Sequence, residues 1–367
     1  MRSRVGFVIN SRIPSLAALG RGMPIHALLT GWDDRTSPMS LMRFHWLADE
    51  LRSQRIADYR LFAHGKFFDA VVFVKSMTEE CHQLATRLRA EGTKVVFDAN
   101  VDYYTEADGR NIPADLVPSA AQRRQAIAMT SLADLVMASS RHLAGVCAQY
   151  HAGAHWIPDN VNMRFVRPAV HSSVPSRTLS LWWSGMPQKV LDFLSIEDVL
   201  REFRNRIHLH LVTGDFHRGL AEMPIASASR LRALFADIPH TFHRFRSIRH
   251  LLELYAQGGG VVISPRFLDN PYNLSHTEWK ITLGMACGLP AIASPQPSYL
   301  DVAVRCGFPR TVSICKTDEE WREAFGESLE GKDLEQKAFS ARDVALRHYS
   351  TSVVAAEHAD VLARLIA

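Results

Sequence analysis

Lys280-Ile281-Thr282-Leu283-Gly284-Met285-Ala286-Cys287-Gly288-Leu289-Pro290-Ala291-Ile292-Ala293-Ser294 reads as a helix that turns directly into a buried strand. Ser275 or Thr277 can cap a helix over 278–287, and Gly288 closes it in the left-handed conformation. Leu289-Pro290 then leads into an apolar strand at 291–294. In such a unit the helix N-terminus faces the carboxyl edge of a sheet. Its free backbone N–H groups and dipole suit a phosphate there. Lys280, in the first turn, adds a mobile cation. A helix whose cap and lysine serve only stability and solubility fits the same residues.

Outward from this unit, short apolar, β-branched runs alternate with longer helical patterns. Strands are expected at 5–9, 70–74, 95–98, 135–138 and 155–157, and again at 179–183, 207–213, 240–245, 261–264 and 291–294. Helical spacing marks 42–52, 79–90, 121–132 and 352–366. Strand–helix alternation of this kind predicts an α/β protein with parallel sheets covered on both faces. Two series predict two tandem doubly wound, Rossmann-like domains. The stretch 168–177, rich in Pro and Ser and without periodicity, reads as their linker, which gives domains of 1–168 and 169–351.

The 367 residues fit two domains at about 150 residues each. With 47% apolar and 22% charged residues, a disordered or collagen-like chain is excluded. The apolar runs fall well short of the roughly 18 residues that span a bilayer. The net charge of +4 names no nucleic-acid partner, though it is compatible with an anionic small molecule. Five cysteines without CxxC spacing argue for a reducing compartment, hence a cytoplasmic location, and against a disulfide framework or a zinc site.

No GxGxxG follows the first strand, and Gly20-Arg21-Gly22 is a lone GxG without a strand before it. Neither a P-loop nor a GxSxG elbow occurs. Trp182-Trp183-Ser184-Gly185-Met186-Pro187-Gln188-Lys189 is a second phosphate candidate. Gly185 would admit a ligand close to the backbone, and Lys189 would reach a diphosphate. Taken alone, the stretch is better explained by an ordinary strand-to-helix turn with a surface lysine. His208 and His210 share one strand face without a third metal ligand. His243-Arg244-Phe245-Arg246, with Arg249 and His250, is a basic cluster suited to an anionic lipid or a phosphorylated acceptor, though an edge strand and a solvated helix start explain it better. Asp98 and Asp102, after a strand, suit an acceptor hydroxyl or simply a turn, and Asp33-Asp34 reads as a polar loop.

Several stretches together resemble the GT-B glycosyltransferases of the large group-1 class, which use nucleotide-sugar donors. Ala133 to Ser140 resembles the strand that ends their first domain, and Trp156-Ile157-Pro158-Asp159-Asn160-Val161-Asn162 resembles their "viPNgvD" turn. Leu211-Val212-Thr213-Gly214-Asp215, then Leu254-Tyr255 through Ser264-Pro265, and then Lys280 through Ser294 with Tyr299 follow in the family's order. In the first half, 68–75 and 94–98 fit the same class.

The resemblance implies a donor site in the second domain and an acceptor site in the first, with reaction in a cleft between them. The final helix, 352–367, would cross back onto the first domain. It also implies sugar transfer from a nucleotide-diphosphate sugar, as co-substrate, to a carbohydrate, glycoconjugate or lipid-linked acceptor. Such transfer proceeds with retention of configuration and needs neither metal nor cofactor. Lys280 and Lys189 would then neutralise the leaving diphosphate, with Gly185, Ser275, Thr277 and Glu278 binding the donor. Lys75, Asp98 and Asp102 would lie on the acceptor side. No nucleic acid and no transmembrane segment are implied, and peripheral contact with a membrane is left open.

The chain departs from the family at three places. Leu283 stands where the second of a glutamate pair usually holds the ribose, and leucine accepts no hydrogen bond. Met186, not arginine, follows Gly185, and Lys75 replaces a usual histidine. The alternative function is therefore a catalytically silent GT-B fold serving as a binding or scaffold module. An epimerase or phosphorylase on the same architecture has no supporting lysine motif.

Overall fold

The computed structural model describes residues 3–33, 37–109, 111–170 and 178–367. Asp34 and most of the expected linker, 171–177, lie outside them. The chain divides into two compact units. One comprises Met1–Glu106, Pro118–Asn160 and Ser350–Ala367, and the other Ala107–Val117 and Val161–Tyr349.

The first unit is built on six parallel strands: β1 (Arg4–Ile9), β2 (Asp58–Leu61), β3 (Ala70–Val74), β4 (Lys94–Ala99), β5 (Leu135–Ala138) and β6 (Ala154–Trp156). Their order is β2-β1-β3-β4-β5-β6, so the winding reverses between β1 and β3. Every residue of β3 is buried, which is why it reads as an unbroken apolar run: helices cover both of its faces. Cys81, Leu84, Ala85 and Leu88 of the Glu79–Ala90 helix pack with one face of the sheet. The other face packs with Leu47, Ala48 and Leu51 and with Val354, Ala355, Val361 and Leu362 of the terminal Thr351–Ile366 helix. β2 was not expected from the sequence. As an edge strand, Asp-Tyr-Arg-Leu buries only Tyr59 fully and carries no apolar run to announce it.

Helical spacing at 42–52 becomes a π-helical turn, Leu41–His45, leading into an α-helix at Trp46–Ser53. The widened turn carries Arg43, whose buried guanidinium reaches Asp98, Asp159 and the carbonyl of Ile157.

In the second unit, β7 (Leu179–Ser184), β8 (Ile207–Thr213), β9 (His240–Arg244), β10 (Val261–Ser264), β11 (Ala291–Ala293) and β12 (Val312–Ile314) are likewise parallel. The order β12-β11-β10-β7-β8-β9 places the reversal between β10 and β7. Leu181, Trp183, Phe193, Leu209, Leu211, Ile263 and Phe325 belong to its main core. β12, only three residues of Val-Ser-Ile, is too short for a pattern to betray. Residues 107–117, which precede the end of the first sheet in sequence, fold with this unit: Asn111 donates to the Asp269 carboxylate at 2.7 Å.

Candidate functional site

In open parallel sheets, ligands bind outside the carboxyl ends of the strands where the order reverses. In the second unit that point lies beyond β7 and β10, and the chain gathers charge there. Beyond β7 a 3-10 helical stretch, Pro187–Ile196, carries Lys189 and Asp192. Beyond β10 comes Arg266, whose backbone N–H donates to Ser294 Oγ at 2.8 Å. Lys280 arrives from the helix Trp279–Ala286.

Lys189, Asp192, Arg266 and Asn273 are all buried and form one network. Lys189 Nζ donates to Asn273 Oδ1 at 2.6 Å and lies 3.0 Å from Asp192. Arg266 donates to the same Asp192 oxygen at 3.0 Å. Asn273, in turn, donates to the other Asp192 oxygen at 3.0 Å. Burial alone would raise the Asp192 carboxyl, but Lys189 and Arg266 outweigh it and hold it low, so it is ionised. Burial pushes Lys189 down to about 8 in spite of Asp192. Arg266 is held up by Tyr299 and Asp192 against the same desolvation.

Lys280 differs from the others. Its stem is half-buried, while Nζ is shut off from solvent and has no hydrogen-bond partner among the described residues. Nζ lies 5.0 Å from the Trp183 ring centroid. It also fills the space beside Gly185, where an added Cβ would come within 2.7 Å of it. Arg266 Nε is a second buried donor without a hydrogen-bond partner among the described residues. One carboxylate, Asp192, thus faces the side chains of three basic residues, two of which carry unused donors. An isolated buried ion is costly by several kcal/mol, so this arrangement calls for an anion.

The structure therefore brings Gly185, Lys189 and Lys280 together and adds Arg266, which the sequence reading did not select. No phosphate-loop pattern surrounds Ser264-Pro265-Arg266, and its signal was only its place just after a strand at the reversal. Ser275, Thr277 and Glu278 are placed otherwise than as a simple cap. Asn270 accepts from Asn273 N at 2.9 Å and starts a separate short helix, Pro271–Leu274, with Pro271 in its first turn. Asn-Pro is a strong start signal, so Ser275 is used up ending that helix. Thr277 Oγ1 accepts from Trp279 N at 3.2 Å, and buried Glu278 takes the N-cap position with helical backbone angles. Gly288 is left-handed as its place at the helix end requires, with φ 86°. Leu283 is wholly buried in the core and presents nothing to a ribose.

In the first unit the reversal lies beyond β1 and β3. Asn10, Ser11 and Lys75 are all left-handed there, with φ of 51°, 57° and 49°. Such strain in non-glycine residues collects at functional sites. Buried Ser76 ties the two strand ends together, accepting from Ser11 N at 2.8 Å and donating to the Val74 carbonyl. Half-buried Lys75 thus stands at a place where a ligand can bind. Asp98 does not project freely: both oxygens take hydrogen bonds from Arg43, at 2.9 and 2.7 Å. Asp102 is buried and accepts from the backbone N–H groups of Tyr104 and Thr105. Asp98 thus pairs with a residue distant in sequence, and Asp102 with the turn that follows it. His208 bonds Thr241 and His210 bonds His243, and among the described residues no three His, Cys, Asp or Glu are placed to hold a metal. No helix of the described residues is long and apolar enough to cross a membrane.

No protein-family model matches the sequence, and no curated protein does. Solved structures do match. A sucrose-phosphate synthase from Thermosynechococcus elongatus superposes with a TM-score of 0.65 at 11% identity, covering 100% of this chain and 99% of that one. Anabaena Alr3699/HepE, solved in complex with UDP and glucose, gives 0.62 at 14% identity over 99% and 100% of the two chains. A glycosyltransferase from Rickettsia africae gives 0.60 at 12%, over 100% and 98%. With two doubly wound parallel sheets matched over essentially whole chains, this protein has the GT-B fold.

Proposed function

We propose that this chain is a glycosyltransferase, moving a sugar from a nucleotide-diphosphate sugar to a carbohydrate, glycoconjugate or lipid-linked acceptor. The observation that carries this reading is the buried basic cluster of Lys189, Arg266 and Lys280 around a single carboxylate at the strand reversal. As the acceptor hydroxyl oxygen bonds to the sugar's anomeric carbon, the bond from that carbon to the diphosphate oxygen breaks, the nucleoside diphosphate leaves with the electron pair, and the hydroxyl proton passes to the departing phosphate oxygen. Donors fixed in a dry site stabilise the charge that develops on it. Side-chain cations fill that role, so the proposed transfer is metal-independent. Retention of configuration follows from the group-1 resemblance, and Lys75 is the proposed acceptor-side residue.

Calorimetry or saturation-transfer NMR with UDP-, GDP- and ADP-sugars tests the reading. We expect one of them to bind, and folded protein that binds none would refute the enzyme. Leu283, buried where a ribose contact is usual, favours one competing reading: a silent fold that binds without turnover. Hydrolysis or transfer of the bound donor sugar by purified protein decides against that alternative.

A further inference from the structure

We infer that Lys280 is a neutral amine in the unliganded protein and takes up a proton when the diphosphate of a nucleotide docks beside it. This rests on the cluster being the diphosphate site. An ammonium needs acceptors for its hydrogens, and Nζ has neither an acceptor among the described residues nor solvent. The groups around it compound the penalty. From beyond β10 it faces Arg266 and from the 187–196 stretch Lys189, and the positive charge of each opposes its own. Asp192 is the anion acting on it, but that carboxylate already serves both of those cations. From β7 it meets the Trp183 ring and the bare backbone of Gly185. Glu278, two residues back on the same helix start, acts on the Tyr349 hydroxyl of the neighbouring helix Leu334–Tyr349. An indole face is worth about 2 kcal/mol or somewhat more to a desolvated cation, which offsets only part of the several kcal/mol that an unpaired buried charge costs. Burial first, then Arg266 and Lys189, accordingly hold Lys280 well below an ordinary lysine. A diphosphate supplies both the charge and the acceptors that the amine lacks, so binding and protonation are coupled. The amine then acts as a donor that becomes charged only when substrate is present.

Proton linkage makes this measurable with the full chain. Titrations with UDP, GDP and ADP run by calorimetry at pH 8, in buffers of differing ionisation enthalpy, give the number of protons exchanged. We expect uptake of about one proton per nucleotide in the native protein, and a drop of nearly that amount in Lys280→Met. Any uptake that survives in the variant belongs to Lys189, which also titrates near this pH. Independently of any variant, the native Kd should weaken by up to about tenfold per pH unit above pH 7.5, where the nucleotide's own phosphate, with its second ionisation near about 6, is already charged. Nucleotide binding with a flat Kd, or with equal proton uptake in native and Lys280→Met protein, overturns the inference while leaving the function standing. Folded protein that binds none of the three nucleotides overturns both.

Discussion

Lys280 Nζ fills the space beside Gly185, so the smallest change at that glycine acts on the site. Gly185→Ala places a methyl within 2.7 Å of Nζ and 2.8 Å of the Trp183 ring. We expect it to cost about 1–3 kcal/mol in stability, measured by urea unfolding, and to weaken nucleotide binding. Lys280→Ala removes the donor itself and should weaken diphosphate binding by roughly 1.5–3 kcal/mol, read by calorimetry. An unchanged affinity would take Lys280 out of the site. Arg43 is the corresponding point in the first unit. Arg43→Met leaves Asp98 and Asp159 buried without their cation, at about 3–5 kcal/mol, far more than a surface ion pair is worth. A loss below 1 kcal/mol in urea unfolding would show that the aspartates find other partners. At this scale the sequence named Gly185 and Lys189, which follow a strand, and Lys280, which opens a helix, because both places carry a local signature. It did not name Arg266, since nothing adjacent in the chain distinguishes that arginine from a surface one.

Among the elements, the terminal helix Thr351–Ile366 holds the clearest pH dependence. His358 is wholly buried on it, sharing a 2.8 Å hydrogen bond with the Tyr59 hydroxyl of β2. Burial, assisted by Arg43, pushes His358 down to about 3 from 6.5. The folded state thus keeps the ring neutral, while the unfolded chain protonates it below pH 6.5. Stability is complete above that pH and falls as pH drops from 6.5 toward 3, by up to about 1.4 kcal/mol per unit. His210 in the second unit, pushed by burial and then by His208 and His243 down to about 4, adds a loss of the same sign. Unfolding midpoints between pH 7 and 4 should therefore decline, and more gently in His358→Gln, which retains a group able to bond Tyr59. An identical decline in the variant would assign the acid sensitivity elsewhere. β3, β5 and β10 were legible at their observed limits because both faces are buried and the strands are almost wholly apolar, and β8 because Ile207, Leu209 and Leu211 alternate with half-buried histidines. β2 and β12 were not, being edge strands held by a neighbour rather than by their own pattern.

For the whole molecule, the chain leaves its first unit at Val161 and rejoins it at Ser350–Ala367. Cutting after Tyr349 strips Val354, Ala355, Val361 and Leu362 from that unit's core. At about 1.5–3 kcal/mol for each large apolar side chain, the loss rivals the stability of a domain. We expect the truncated protein to lose near-ultraviolet dichroism and bind a hydrophobic dye, and a native-like spectrum would refute this. By itself the sequence determined the α/β class, the position of most strands along the chain and their parallel winding. Those properties are written in local periodicity, which burial on two faces imposes on the central strands. Only the tertiary structure decided that the segment 107–117 joins the second unit, that Asp98 pairs with Arg43, and that Arg266 and Lys280 come together. Which side chains converge depends on β10 pairing with β7 across more than seventy intervening residues. No local pattern in the chain encodes that pairing.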